Sequence, residues 1–209
     1  VSALLVADLH FGKAASFRRL GVPVPEASTG GTLQQLLTLL DDLPRLPPAC
    51  RPTAPVQLVV LGDLLHAARG RSREMLSAVE AALPRMRGHP AAPGLVLHLV
   101  RGNHDAAAGD PPPHWGVALH DEPWHLGPWA LCHEPQTVAG AYALAGHWHP
   151  CTVLRGPARQ RLRLPCFWFG DPLAHPVGVL PAFGDFTGMH PIDPRPGDRI
   201  WAVGGDAVR

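Results

Sequence analysis

Asp8 with His10, Asp63 behind a glycine, the run Asn103-His104-Asp105, His133, and His147 with His149 are the residues of this 209-residue chain whose types and order can do chemistry. They are carboxylate, amide and imidazole donors, enough to hold two divalent metal ions. Two cations ~3.5 to 4 Å apart activate a water, neutralise phosphate oxygens and hold the attacking and leaving oxygens in line. The expected chemistry is therefore phosphoester cleavage by water. A carboxylate can bridge two ions, and Asp63, alone after Gly62, is the candidate bridge. The mixed donor set suits Mn²⁺, Fe²⁺ or Zn²⁺ better than Ca²⁺, which prefers oxygen alone. His104 is placed beside a presumed ligand to protonate the leaving oxygen, and Asp105 to orient that imidazole and keep it charged.

Each block follows an apolar stretch: Leu4 to Ala7, Val56 to Leu61, Leu95 to Val100, Trp129 to Cys132 and Tyr142 to Ala145. Ligands at the ends of strands converge on one rim. Residues two apart on a strand share a side, so the pairs Asp8/His10 and His147/His149 are expected to chelate from extended chain. Between the first strands, residues 12–19 read as a short helix or ordered loop ended by the turn at 21–25. Leu33, Leu36, Leu37 and Leu40 predict a helix capped by Thr32 and running to Asp42. After a Pro-rich loop at 44–55, Ser72 caps a second helix with Met75, Leu76, Val79 and Leu83 on one face, stopping before Pro84. This β, α, β, α, β order predicts a parallel or mixed sheet with right-handed crossovers.

After Asp105 short apolar runs alternate with Gly, Pro and Asp, which predicts mostly antiparallel strands: 117–120, 129–132, 151–154, 162–164, 165–169, 177–180 and 200–203. The expected fold class is α/β (α+β), a two-sheet sandwich flanked by helices. Chain length and 46% hydrophobic content fit one domain over residues 1–209. A net charge of +1 excludes a global polyanion-binding surface, so such binding must be local. Cys50, Cys132, Cys151 and Cys166 lack CxxC spacing and are expected to be reduced thiols. No apolar run nears the ~20 residues of a membrane span, and the strand-like start at Val1 reads as mature chain with no leader within it, unless the true start lies upstream. The expected location is cytoplasmic, with no membrane partner.

The ordered set DxH, GD, GNHD, a later His and GHWH resembles the metallophosphoesterase (calcineurin-like) superfamily. That resemblance implies one metal on Asp8, His10, Asp63 and His149 and a second on Asp63, Asn103, His133 and His147. It gives His104 and Asp105 the acid and orienting roles. More narrowly, ADLHFGKAASFRRLGVPVP at 7–25, GDLLHAAR at 62–69 with one alanine added, CHEP at 132–135, GHWHP at 146–150, CFWFG from Cys166 and LPAFGDFTG up to Gly188 are similar to the bacterial ligase-associated DNA damage response endonucleases. This implies manganese-dependent cleavage of single-stranded DNA in repair, alongside a DNA ligase, a helicase and an exonuclease. Trp148 stands where that family usually carries a small aliphatic residue.

Lys13, Arg18 and Arg19 closely follow the first ligand pair and are candidates to meet DNA phosphates, although a solvated helix face is the plainer reading. His66 is a candidate to orient a ligand or phosphate, or else a satisfied structural histidine. Trp148 lies between two ligands and is expected to be buried or to form a rim, whereas Phe17 and Trp168 read first as core. Two other functions use the same residues: a nucleotide, cyclic-nucleotide or lipid-pyrophosphate phosphoesterase, and a non-catalytic scaffold for repair partners.

Overall fold

The structure, a computed structural model, describes residues 3–24, 28–52, 55–205 and 207–208. Pro25 of the predicted turn and residues 53–54 of the Pro-rich loop lie outside the described residues.

The first half alternates β1 (Ala3–Val6), α1 (Lys13–Arg19), α2 (Ser28–Asp42), β2 (Gln57–Leu61), α3 (Arg73–Arg87), β3 (Val96–Val100), α4 (Asn103–Ala108) and β4 (Val117–His120). β1 to β4 lie side by side in that order, all parallel. The runs of Leu and Val in the central strands β2 and β3 are largely buried, and those of the edge strands β1 and β4 mostly half-buried, as a sheet covered on both faces requires. One face meets α2 and α3 through Leu33, Leu36, Leu37, Leu40, Met75, Val79 and Leu83.

The second half contains β5 (Trp124–Leu126), β6 (Trp129–Leu131), β7 (Tyr142–Ala145), β8 (Pro150–Arg155), β9 (Arg161–Phe169), β10 (Val177–Val179), β11 (His190–Pro191), β12 (Arg199–Gly204) and β13 (Ala207–Val208). They form a second sheet, with the path β11-β8-β9-β10-β7-β6-β5, with β12 attached to β9 and β13 to β12. Ala7, Val59, Leu61 and Val100 of the first sheet pack on Leu131 and Leu144 of the second, so the two sheets form a sandwich with helices outside. Among the described residues no helix is long and apolar enough to cross a membrane, and all four cysteines are free.

Three local expectations are corrected. Helix α2 starts a turn before Thr32; the Thr32 hydroxyl donates to the Ser28 carbonyl (3.0 Å) and accepts from Asp185 N (3.1 Å), so it ties a distant segment down instead of capping. Gly30 and Gly31 weaken the helical signal there. Helix α3 continues through Pro84 to Arg87, held by the buried Met86 and by the Arg87 guanidinium on the Trp115 carbonyl. Residues 162–164 and 165–169 are one strand, β9. In the second half most pairings are antiparallel, as expected (β5–β6, β8–β9, β9–β10, β9–β12 and β12–β13), while β7 runs parallel with both β6 and β10, and β11 parallel with β8. Periodicity reports which side is buried and says nothing of strand direction.

Candidate metal centre

Each ligand block occupies the loop at the carboxyl end of a strand: Asp8 and His10 after β1, Asp63 after β2, Asn103 and His104 at the start of α4 after β3, His133 after β6, and His147 and His149 after β7. The first five come from one sheet and the last three from the other. The Asp8–His10 loop is stitched to the Asp63 loop by Asp8 N to Gly62 O (3.2 Å), His10 N to Asp63 O (2.8 Å) and Phe11 N to Leu64 O (2.9 Å).

The pairs do not chelate from extended chain. Asp8, His10, Asp63, His147 and His149 have φ of 56°, 49°, 55°, 68° and 47°, and the sole other non-glycine residue with positive φ among the described residues is Ala158. Such a conformation costs about 1 to 2 kcal/mol per residue for ordinary L-residues, least for Asp, Asn and His. Concentrated at five donors, it marks where the surrounding loops impose geometry on the side chains. Two glycines make the close approach feasible. A Cβ on Gly62, itself at φ 78°, would fall 2.0 Å from His133 Nδ1, and one on Gly146 would fall 2.6 Å from Asp8 Oδ2.

The donor atoms converge in two groups. His10 Nε2 lies 3.3 Å from His149 Nε2 and 3.7 Å from Asp63 Oδ2, and His149 Nε2 lies 3.4 Å from Asp8 Oδ1. In the second group His133 Nε2 lies 2.9 Å from Asn103 Oδ1, 3.0 Å from His147 Nδ1 and 3.5 Å from Asp63 Oδ1. The two oxygens of Asp63 thus face different groups, the arrangement a bridging carboxylate needs. Asp8 also reaches toward both groups, with Oδ1 3.9 Å from His133 Nδ1.

Charge and tautomer fit cations here. Asp8 is fully buried, and its Oδ1 has no hydrogen-bond partner. A buried anionic oxygen without a donor is costly unless a cation satisfies it. Because carbonyls only accept, His133 Nδ1 must donate to Leu61 O (3.1 Å) and His149 Nδ1 to Gly188 O (3.2 Å), leaving each Nε2 lone pair for a metal. Burial first, then the nearby Lys13 charge, pushes the His10 imidazole down to about 2 and keeps it neutral. Burial pushes Asp63 up, against the pull of His133. The donor set fits two divalent ions, held by the residues named.

His104 and Asp105 part company. His104 N donates to Asp63 Oδ1 (2.9 Å), and its Nδ1 donates to the His66 carbonyl (2.8 Å), which leaves Nε2 as the nitrogen available to a leaving oxygen. The Asp105 carboxylate does not serve that ring. It accepts from Leu64 N (3.3 Å), Leu65 N (2.9 Å) and Gly102 N (3.0 Å), pinning the Asp63 loop to the head of α4. Burial pushes Asp105 up to about 6. His66 meets two of these groups: its Nδ1 is 3.3 Å from His10 Nδ1, and its ring stacks on His104 at 4.6 Å. His10, His66 and His104 form a third cluster of donors that spacing did not foretell.

Lys13 is half-buried, within the electrostatic reach of Asp63 and Asp8 and 6.0 Å from the Phe186 ring. Arg18 donates to Val24 O (3.2 Å) and Arg19 to Arg69 O, and both line a cleft of about 700 Å³ with Ser28 and Glu74. Phe17 packs edge-on against Phe186 and beside His66, near the site and not in the deep core. Trp148 is 43% exposed, a rim residue 5.7 Å from Trp168. Sequence reading missed Glu122, whose carboxylate accepts from the backbone N–H groups of His133 (2.6 Å) and Glu134 (3.0 Å). No motif spacing marks it.

The profile of the family described as calcineurin-like phosphoesterase matches residues 2–149, the span that holds every block above. The crystal structure of the Pseudomonas putida nuclease MPE is similar over 96% of this chain and 84% of that one, at 40% identity and a TM-score of 0.74. No curated protein sequence matches. A family match over most of the chain, with the donor geometry at its predicted rim, leads to one assignment: the chain belongs to the calcineurin-like phosphoesterases.

Proposed function

We propose that this phosphoesterase is a single-stranded DNA endonuclease that works with two manganese ions in DNA repair, in the cytoplasm, beside a ligase, a helicase and an exonuclease. The observation that carries the substrate is the cleft next to the metal centre. It has a volume of about 480 Å³ and is lined by Trp148, Trp168, His175, His190 and Arg195. Trp148 lies between two ligands, and Trp168 is fixed by its indole N–H on Asp198 (2.9 Å). Exposed aromatic faces beside a cation suit unpaired bases, and stacking is worth about 1 to 3 kcal/mol per base. Support also comes from the 40% identical structure described as a nuclease.

A bound metal pair would supply an activated water and neutralise phosphate charge. The chain's own residues do the rest. The Asp63 carboxylate and the loops stitched around it fix the donors, His66 holds the His104 ring through its carbonyl, and His104 Nε2 delivers the proton to the leaving oxygen. The deciding experiment is incubation of closed circular single-stranded DNA with metal-stripped protein resupplied with Mn²⁺, Zn²⁺ or Mg²⁺, with Asp63→Ala as control. Linear product that requires Mn²⁺ and Asp63 is expected. An intact circle beside brisk hydrolysis of a small phosphodiester overturns the DNA reading and transfers the activity to nucleotides or cyclic nucleotides.

A further inference from the structure

The outer part of the β8–β9 hairpin, away from Trp168, has no part in the site described so far. Residues 150–165 hold Arg155, Arg159, Arg161 and Arg163 and no Asp or Glu, in a chain whose net charge is only +1. Across the ladder Arg155 is paired with Arg161 and Val153 with Arg163. Cross-strand partners and residues two apart share a face, so Arg155, Arg161 and Arg163 stand together on one side. All three are exposed, and none of their side chains makes a hydrogen bond or ion pair among the described residues. Like charges set directly opposite one another destabilise a ladder, so the hairpin carries a repulsion that nothing described in the chain relieves.

The register shows where these charges lie. Val179 of β10 is paired with Ala145 of β7 and with Trp168 of β9, which places Trp168 level with the residue just before the Gly146–His149 ligand loop. β9 runs antiparallel to β10, so Arg161, seven residues earlier, lies about 23 Å beyond that level at ~3.3 Å per residue. β8 leaves directly from His149 in the same direction. The hairpin therefore stands out past the level of the metal centre, beyond the strand ends that carry the ligands. Its arginine face has the same parity along β9 as Phe167 and Phe169, which pack between the two sheets whose ends supply the ligands.

We propose that this hairpin is a phosphate clamp, in which Arg155, Arg161 and Arg163 grip the backbone of a polynucleotide several nucleotides from the scissile phosphate. The proposal rests on the single-stranded DNA reading and adds to it a requirement for length. A nucleotide or cyclic nucleotide seated on the metals cannot span to the hairpin, whereas an extended strand reaches it. Guanidinium forks match phosphate oxygens with two parallel hydrogen bonds, which suits arginine at all three positions.

The test is the triple variant Arg155→Gln/Arg161→Gln/Arg163→Gln, assayed in Mn²⁺ on a 30-nucleotide single strand and on bis(p-nitrophenyl) phosphate. The expected result is a KM for the strand raised about tenfold or more at low salt, and a salt dependence of binding shallower by about two units of log K per log salt, as loss of three phosphate contacts implies. Turnover of the small diester should be unchanged, and the Arg→Lys triple variant should recover most of the salt dependence. Unchanged KM and salt slope on the strand, or equal losses on both substrates, would overturn the clamp. A wild-type protein that leaves the strand uncut while hydrolysing the small diester refutes the DNA reading itself, so the two failures are separable.

Discussion

His104 is the residue at which sequence and space disagree most usefully. Its neighbour Asp105 is the natural partner on paper, yet both sit on α4, where consecutive residues diverge and do not face each other. The ring is instead held by the His66 carbonyl, and its backbone N–H braces Asp63. His104→Ala keeps that backbone N–H and every metal donor, so metal content should be unchanged while the rate on a small phosphodiester falls ~10² to 10⁴-fold. A full complement of metal with an undiminished rate removes His104 from the acid role. The identities of the donors were legible in the sequence because few proteins place Asp, His, Asn and Gly at these intervals after apolar runs. Their left-handed backbone was not, since nothing in an Asp or His announces φ above zero. Glu122 was equally silent, because it acts through the backbone of His133 and belongs to no spacing pattern.

Elements in the first half were readable because apolar runs alternate with helical stripes, which leaves a parallel sheet as the natural solution. In the second half strands are short, and their direction follows from connections that composition does not record. One consequence lies where the two halves meet, at β3, β4 and β5. His98 and His120 sit side by side, with His98 Nδ1 2.9 Å from His120 Nε2, and His120 stacks on Trp124 at 3.7 Å. Burial, with mutual repulsion, lowers His98 below its ordinary 6.5; burial and the Arg101 charge lower His120, against a smaller pull from Asp121. Between these folded values and 6.5 the unfolded chain binds more protons than the folded one, so stability falls as pH falls through that window. The double variant His98→Gln/His120→Gln should lose less thermal stability than wild type between pH 7.5 and 5.5. An equal loss in both proteins would show that the acid sensitivity arises elsewhere.

At the scale of the whole molecule the metal centre is also a clasp. Asp8, His10, Asp63 and Asn103 belong to one sheet and His133, His147 and His149 to the other, and the core between the sheets is a modest cluster around Val59, Leu61, Leu131 and Leu144. Ions held by both sets of ligands bind the sandwich and not the unfolded chain, so they stabilise it by mass action. At a free ion concentration one hundred times Kd this amounts to about 2.7 kcal/mol. For a chain of this length, 1 kcal/mol is worth about 2 to 4 °C in Tm, so chelation should lower Tm by roughly 5 to 10 °C. Restoring Mn²⁺ should restore it. The same titration on Asp63→Ala, which loses the carboxylate facing both groups, should move Tm far less. If chelator leaves the wild-type Tm where it was, the two sheets are held by their apolar contacts alone, and the ligands are then a catalytic feature with no share in the stability of the fold.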